Sequence, residues 1–308
     1  MSKNIHRFTV SVNCHLPDDS AVTDQVQSFE QLYDDYGVLL LPDSYSKTGE
    51  PTRLVFSLHG GGSQVAKNDS QIEHLPMTKY LVANGYAVMD VNGMPEKFAA
   101  EKNISVYDNI GSPITIRSLV KAYHYCMERF NLKREVFVHG GSMSGLGTTN
   151  LVLSGMIPVI AHSLWCPVLD TYEQVFLRPW CNGEPKIVLS TLCGFDKDEN
   201  GEFIYDEAKV GGYNPAKNKK AERYPVPLKI WHCIDDPIVP YFVTEKYVDV
   251  AQANGSQVYL RTFTYGLHRP DRVGTPVEKP LGKDVYDGEK IDVMPAMEEA
   301  FIWIRNFD

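Results

Sequence analysis

The chain has 308 residues, of which 43% are hydrophobic and 22% are charged, with a formal net charge of -9 at pH 7. These proportions are ordinary for a globular protein, and the length suits one large α/β domain with an insertion. The negative charge argues against a general nucleic-acid binder, and no segment approaches the roughly 20 apolar residues of a membrane span. Because residues 1–17 contain no continuous apolar run, we expect a cytoplasmic location, although a secreted protein without its signal would look the same.

Three apolar segments near the start of the chain predict strands. Residues 7–16 alternate between apolar and polar side chains, which is typical of a half-buried strand. Residues 36–41 (YGVLLL) predict a second strand, which ends before Pro42. Residues 53–58 (RLVFSL) are nearly all apolar, as in strands that are buried on both faces of a parallel sheet. We expect residues 1–35 to form an N-terminal strand and linker ahead of the core.

The third predicted strand runs directly into His59-Gly60-Gly61-Gly62. Glycines leave backbone N–H groups unobstructed and permit positive φ angles. These residues alone are also consistent with a flexible loop. Because they follow a buried strand and precede the serine motif described below, they favour an oxyanion-hole loop.

The middle of the chain alternates between helical and strand patterns. In chain order we predict a helix over 70–84, a strand over 86–91, a helix over 113–130, a strand over 135–138, a helix over 148–154 and a strand over 159–165. This alternation favours a mostly parallel sheet with helices on both faces.

The stretch VFVHGGSMSGLG, residues 136–147, has the pattern of a strand, a tight turn and a helix. A serine at the apex of such a turn lies at the positive end of the helix dipole with its hydroxyl exposed, an arrangement called a nucleophile elbow. The usual pattern, Gly-x-Ser-x-Gly, places the nucleophile at Ser142, between Gly140 and Ser144. Ser144 is the alternative nucleophile, but Leu146 would then occupy a flanking position where the strained turn requires a small residue.

The alternation of strands and helices stops between residues 167 and 226, where proline, glycine, aromatic and charged residues are frequent. We predict that 167–226 is a cap or lid insertion and that the core consists of 36–166 and 227–308. Four aromatic residues are candidates for the wall of a substrate pocket, and packing of the cap onto the core explains them equally well. They are Trp165, Tyr172, Phe176 and Trp180.

Residues 196–207 (DKDENGEFIYDE) satisfy the pattern of a calcium-binding loop. The oxygen ligands of that pattern would be Asp196, Asp198, Asn200 and Glu207. Asn200-Gly201 between polar and aromatic residues is also a strong hairpin signal, and neither flank predicts a long helix. We favour the hairpin and leave calcium binding open.

The core resumes with a predicted strand over 228–233, a helix over 241–253, a strand over 258–263 and an amphipathic helix over 295–307. Asp235 and Asp236 follow the first of these strands, and His268 follows the second. A serine, a carboxylate and a histidine therefore stand at strand ends, in that order along the chain.

These motifs resemble those of α/β-hydrolases of the esterase or prolyl-oligopeptidase-like kind, over residues 36–307. The stretch WHCIDDPIVP is similar to the H-G-x-x-D-x-x-V-P pattern of that family, with Cys233 where glycine is common. Its register to Val239-Pro240 favours Asp236 over Asp235 as the acid. The resemblance implies an α/β-hydrolase fold, a mostly parallel sheet flanked by helices, with a cap or lid insertion.

The resemblance also implies the roles of the site residues. Ser142 would be the nucleophile, His268 its base, and Asp236 the group that orients the imidazole. The N–H groups of Gly61 and Met143 would form the oxyanion hole. No metal and no cofactor is expected.

We expect a serine carboxylester hydrolase that acts on a small-molecule ester. The stretch YGVLLLPDSYSKTGEPTRLVFSLHGGG resembles esterases acting on acyl groups attached to sugars or phenolics. A prolyl-oligopeptidase-type peptidase shares the triad, but only residues 1–35 precede the family-like region, and we therefore expect no propeller domain and favour the esterase. A thioesterase or acyltransferase would look alike, and a non-catalytic binding scaffold would usually have lost a triad member or the oxyanion glycines.

Six cysteines are scattered without metal-ligand or Cys-x-x-Cys spacing: Cys14, Cys126, Cys166, Cys181, Cys193 and Cys233. We expect buried reduced thiols, although a pairing among Cys166, Cys181 and Cys193 is left open. Three arginines are candidates for binding an acidic substrate, and solvated surface residues explain them as well. They are Arg178, Arg269 and Arg272.

Overall fold

The computed structural model describes residues 4–14, 31–107, 111–176, 195–200, 203–205, 213–218, 223–270 and 295–308. In this part the strands are β1 (Ile5–Asn13), β2 (Leu32–Leu40), β3 (Leu54–Ser57), β4 (Ala87–Val91), β5 (Val136–Gly141), β6 (Val159–Trp165), β7 (Phe195–Lys197), β8 (Phe203–Tyr205), β9 (Leu228–Cys233) and β10 (Val258–Phe263). The α-helices are α1 (Pro76–Ala83), α2 (Glu96–Lys102), α3 (Pro113–Arg129), α4 (Met143–Ser154), α5 (Thr171–Phe176), α6 (Tyr241–Ala253) and α7 (Pro295–Arg305). Single 3-10 turns lie at Gln71–Glu73 and Pro215–Lys217.

Eight strands form one sheet in the order β1-β2-β4-β3-β5-β6-β9-β10. The β1/β2 and β2/β4 pairs are antiparallel, and the other neighbouring pairs are parallel. The predicted mostly parallel sheet is therefore confirmed. The predicted boundary at residue 35 falls inside β2, which begins at Leu32. Strand β1 pairs with β2 and therefore belongs to the same sheet as the core.

Helices cover both faces of the sheet. Helices α2, α3, α4 and α6 contribute to one apolar cluster, and α1 and α7 contribute to the other. Along β3, Leu54 and Phe56 belong to the first cluster and Val55 to the second. Burial on both faces explains why this strand is almost entirely apolar in sequence.

The predicted bounds of β6, β9, α6 and β10 are confirmed to the residue. The segment 70–84, predicted as one helix, contains two separate elements. They are the 3-10 turn at Gln71–Glu73 and helix α1, which begins at Pro76. Leu75 is extended, with φ of -68° and ψ of 132°, because the residue before a proline avoids the helical region. Helix α2 was not predicted.

The hairpin predicted around Asn200-Gly201 is confirmed, since β7 and β8 pair in antiparallel fashion. Asp196 lies on β7 opposite Ile204, and Glu207 lies outside the described residues. Cys14, Cys126, Cys166 and Cys233 are free and buried, as expected, while Cys181 and Cys193 lie outside the described residues. Across the described ranges, no helix is long and apolar enough to cross a bilayer.

Candidate active site

The turn between β5 and α4 carries backbone strain at Ser142. Its φ is 55° and its ψ is -124°, a conformation that residues with a β-carbon rarely adopt. The surroundings hold it there: the Ser142 N–H donates to the Trp165 carbonyl at 3.0 Å, and its own carbonyl accepts from Gly145 and Val168. Strain of this kind persists where the fold enforces it and is concentrated at functional sites.

Close packing explains the small residues around this turn. A β-carbon on Gly140 would lie 2.5 Å from Thr148 Oγ1 and 2.7 Å from the Ser144 carbonyl oxygen. A β-carbon on Gly145 would lie 2.6 Å from Pro167 Cβ. The backbone at these two glycines therefore approaches its neighbours too closely for any side chain.

The two candidate serines differ in their environment. Ser144 is buried, and its hydroxyl donates to the Gly141 carbonyl at 2.8 Å and accepts from the Gly141 N–H at 2.9 Å. Ser142 is partly exposed, and within the described part of the chain its hydroxyl has no hydrogen-bond partner. Ser144 thus closes the turn, while Ser142 presents its hydroxyl at the apex.

Asp236 and His268 are brought together at the ends of β9 and β10. The distance between Asp236 Oδ2 and His268 Nδ1 is 2.7 Å. The other carboxylate oxygen accepts the N–H groups of Ile238 and Val239 at 2.8 and 3.0 Å. His232 Nε2 lies 3.2 Å from Asp236 Oδ2.

Burial alone would raise the pKa of the Asp236 carboxyl, but hydrogen bonds from His232 and His268 outweigh it and hold that pKa below its usual range. Asp236 is therefore ionised at neutral pH and accepts hydrogen bonds only. His268 must donate from Nδ1, which leaves the Nε2 lone pair available as a base. His232 in turn donates from Nε2, while its Nδ1 lies 2.9 Å from Thr244 Oγ1.

The loop after β3 lies against the start of α4. A β-carbon on Gly61 would be 3.7 Å from Met143 Cβ, so the two residues predicted to form the oxyanion hole are neighbours. Among the described residues, neither the Gly61 N–H nor the Met143 N–H has a protein acceptor. Two adjacent unpaired amides can stabilise an anionic oxygen.

Side chains from outside the loop hold these glycines in place. Asp90 Oδ2 at the carboxyl end of β4 accepts the His59 N–H at 3.0 Å and lies 2.9 Å from His59 Nδ1. The Gly60 N–H donates to Gln71 Oε1 at 3.2 Å. Because the amides of residues 59 and 60 are occupied, Gly61 carries the first free N–H of the loop.

The sheet order shows which strands lie between the serine and the histidine. Ser142 follows β5, Asp236 follows β9 and His268 follows β10, and strand β6 separates β5 from β9. Strands lie about 4.8 Å apart, so a contact between His268 and Ser142 requires the loop that carries His268 to lean back across the end of β9. No hydrogen bond joins Ser142 and His268 among the described residues, and in unliganded enzymes this contact is often long.

Trp165 lies beside the elbow at the end of β6. Its ring packs edge-on against His139 with the centroids 4.6 Å apart, and its Nε1 is buried without a partner among the described residues. Trp180, Arg178 and Arg272 lie outside the described residues. Arg269 forms the end of the turn that contains His268, donating its N–H to the Gly266 carbonyl.

One group of metal-ligating side chains occurs within the described ranges: donor atoms of Cys166, His232 and Asp236 lie within 4.8 Å of one another. Each Asp236 oxygen already faces two N–H donors. A cation would have to displace one of the histidines. The contacts of Asp236 are therefore those of a carboxylate that orients His268, and they need no metal ion to explain them.

Three contributors to this site were not recognised in the sequence: His232, Asp90 and Gln71. The signal that was available for the first two is a polar residue at the carboxyl end of an otherwise apolar strand, as in VMD of β4 and KIWH of β9. Gln71 had no such signal, because its contact depends on how the turn before α1 folds.

No protein-family model and no curated protein sequence matches the chain. Among solved structures it is similar to the acylaminoacyl peptidase of Pyrococcus horikoshii, with a TM-score of 0.63 and 15% identity over 99% of this chain and 42% of that chain. A puromycin-hydrolyzing peptidase of Mycobacterium tuberculosis gives a TM-score of 0.61 and 15% identity over 86% of this chain and 36% of that one. For Est1E from Butyrivibrio proteoclasticus the TM-score is 0.52 and the identity 14%, over 85% of this chain and 91% of that one.

The chain spans about two fifths of the length of the acylaminoacyl peptidase and most of the length of Est1E. These similarities concern the backbone, since the identities lie between 14% and 15%. Together with the eight-stranded, mostly parallel sheet and its helices on both faces, they show that the chain has the α/β-hydrolase fold.

Proposed function

We propose that this protein is a serine hydrolase that cleaves a carboxylic ester through an acyl-enzyme. The observation that carries this proposal is the pair of amides at Gly61 and Met143, which have no acceptor among the described residues and lie beside the strained serine turn. At the same edge of the sheet, Asp236 holds a histidine in the tautomer that can act as a base.

In the proposed reaction, the Ser142 hydroxyl attacks the ester carbonyl while His268 Nε2 takes its proton. His268 then returns that proton to the departing alcohol, and the same pair activates water to release the acid. Asp236 stabilises the imidazolium without taking the proton itself. The Gly61 and Met143 amides stabilise the tetrahedral oxyanion, where loss of one such donor costs about 3 kcal/mol of barrier.

The substrate we propose is a small ester, with an acyl group on a sugar or phenolic alcohol as the first class to examine. This choice rests on the resemblance of residues 36–62 to esterases of that kind. Trp165 is the described aromatic residue that we propose for the substrate wall, because its carbonyl accepts the Ser142 N–H and its indole N–H has no partner in the described part of the chain.

A serine peptidase is the second candidate. Two of the similar structures are named as peptidases, and the acylaminoacyl peptidase superposes over 99% of this chain. The same triad attacks an amide, but the poorer leaving group demands fuller proton transfer from His268. Thioesters fit the same geometry and belong in the substrate panel.

The test is to compare initial rates on p-nitrophenyl acetate, butyrate and octanoate, methyl ferulate, an acyl thioester and an N-acyl peptide anilide, for wild type and Ser142→Ala. We expect ester turnover by the wild type and a loss of about a thousandfold or more in the variant. Faster turnover of the anilide than of every ester would favour the peptidase. Unchanged ester turnover by Ser142→Ala would contradict the assignment of the nucleophile.

A further inference from the structure

Asp235 lies next to Asp236, the residue that orients His268. Its carboxylate binds backbone N–H groups of the loop that carries His268. The Leu267 N–H donates to Asp235 Oδ1 at 2.9 Å, and the Gly266 N–H donates to Asp235 Oδ2 at 3.3 Å. The neighbouring Asp236 holds the His268 ring. Two consecutive carboxylates after β9 thus hold the histidine loop, one at its backbone and one at its side chain.

The backbone that Asp235 holds has an unfavourable conformation. The turn from Gly266 to Arg269 is closed by the Arg269 N–H donating to the Gly266 carbonyl at 3.1 Å. Leu267, at the second position of this turn, has a φ of 53°, and Gly266 has a φ of 139°. A positive φ at the second position is normally supplied by glycine, asparagine or aspartate. A leucine there requires support from outside the turn.

The direction in which Asp235 holds the loop matters for catalysis. The loop leaves β10, the last strand in the sheet order, and the proposed reaction requires His268 to reach across the end of β9 to the elbow serine. Asp235 follows β9, so its hydrogen bonds draw Gly266 and Leu267 in that direction. Without them the turn would be free to relax towards a negative φ at Leu267, which would move the adjacent His268.

We propose that Asp235 is a positioning residue that fixes the His268 loop over the end of β9. The proposal rests on the proposed serine hydrolase function and adds to it a residue that does not touch the substrate. Asp235 is exposed, so water competes for its oxygens and the effect on rate is moderate. We expect about a tenfold loss of kcat when the carboxylate is removed.

The experiment compares Asp235→Ala, Asp235→Asn and the control Asp249→Ala, which removes an exposed carboxylate from α6. We expect Asp235→Ala to lower kcat about tenfold with KM within about twofold of wild type. Asp235→Asn retains one acceptor oxygen and should lie between wild type and Asp235→Ala. Asp249→Ala should match the wild type. An unchanged kcat in Asp235→Ala, or a loss confined to KM, would overturn the proposal.

A second variant separates positioning from a general loss of stability. Leu267→Gly removes the steric penalty of the positive φ, so the turn should depend less on Asp235. We expect kcat of Asp235→Ala/Leu267→Gly to exceed that of Asp235→Ala several-fold. A double variant no faster than Asp235→Ala would contradict the link between the carboxylate and the turn.

Hydrogen exchange keeps this test independent of the proposed activity. In Asp235→Ala the amides of Gly266 and Leu267 should exchange at least about tenfold faster, and in Asp249→Ala they should not. Unchanged exchange would show that Asp235 does not hold the loop. If the wild type hydrolyses no substrate of the panel, the proposed hydrolase function fails, whatever the exchange shows, and if Ser142→Ala retains full activity, the assignment of the nucleophile fails. If Asp235→Ala exchanges faster but keeps the kcat of wild type, while Ser142→Ala is inactive, the positioning role is overturned and the hydrolase function stands.

Discussion

Asp236 is the residue on which the proposed chemistry depends most, and it is stabilised by four N–H donors. Ile238 and Val239 bind one oxygen, and His232 and His268 bind the other. The role of His268 as a base requires that this carboxylate stay in place when the imidazole becomes charged. We therefore expect His232 to act on the proposed reaction through Asp236.

Two substitutions of His232 separate its contacts. Asparagine can bind Thr244 but does not reach Asp236, whereas glutamine places an amide N–H close to the position of Nε2. We expect His232→Asn to lower kcat about tenfold or more at unchanged KM, and His232→Gln to retain most of it. Steady-state kinetics on the best ester substrate measures both, and equal rates for the two variants would contradict this role.

Site residues could be predicted from the sequence where their contacts are to residues a few positions away in the chain. The register from Asp236 to Val239 was readable because the carboxylate binds an amide only three residues away. The same holds for the elbow, where Gly140 and Ser144 are two residues from Ser142. The hydrogen bonds of Asp235 could not be predicted, because its partners lie 31 and 32 residues further along the chain.

Among the structural elements, the loop from residue 59 to 65 depends most on its neighbours. Three side chains accept its amides: Asp90 binds His59, Gln71 binds Gly60, and Asn92 Oδ1 accepts the Val65 N–H at 3.1 Å. A glycine-rich segment has no side chains with which to hold itself, so the conformation that exposes the Gly61 amide is imposed from outside.

Gln71 tests this dependence at low risk to the fold, because it is only partly buried. Gln71→Ala removes the acceptor of the Gly60 N–H, and we expect kcat to fall about tenfold, which corresponds to roughly 1.4 kcal/mol of barrier. Gln71→Glu keeps an acceptor oxygen and serves as the matched control. Equal kcat values for Gln71→Ala and wild type would show that the loop holds its shape without this contact.

Elements with one dominant periodicity were predicted well, and those decided by tertiary contacts were not. Strands β6, β9 and β10 are rich in β-branched and aromatic residues and lie between clear breakers, and their bounds matched. Helix α2, over Glu96–Lys102, is short, and its buried face consists of Phe98 and Ala99, too few residues for a periodic signal.

At the scale of the whole molecule, the sheet buries a titratable group that the reaction does not use. His162 on β6 is fully buried, with Nδ1 2.6 Å from the Tyr224 hydroxyl. Burial, together with the nearby His139, holds the pKa of His162 well below its usual value of 6.5. The folded protein therefore keeps this imidazole neutral, while the unfolded chain takes up a proton below pH 6.5.

This difference makes stability depend on pH. Where the unfolded state binds one more proton, the free energy of unfolding falls by about 1.4 kcal/mol for each unit that pH decreases. We expect the stability advantage of wild type over His162→Phe to shrink at this rate below pH 6.5, as measured by urea unfolding. Burial raises the pKa of Asp35 to about 7, which affects stability in the opposite direction. Because Asp35 is present in both proteins, its contribution cancels in the difference between wild type and His162→Phe.

The exposed His124 provides the control for this measurement. We expect the stability difference between wild type and His124→Phe to be flatter between pH 7.5 and 5 than that for His162→Phe, because the His124 side chain is exposed. If the difference for His162→Phe is equally flat, the neutral state of His162 does not limit stability in acid.

The most direct test of the central claim is labelling of the protein with a fluorophosphonate, followed by peptide mapping with mass spectrometry. Such reagents modify a serine that is activated by a histidine base. We expect one adduct on Ser142, no adduct in Ser142→Ala, and much slower labelling in His268→Ala. Labelling of Ser144, or labelling that does not depend on His268, would contradict the central claim.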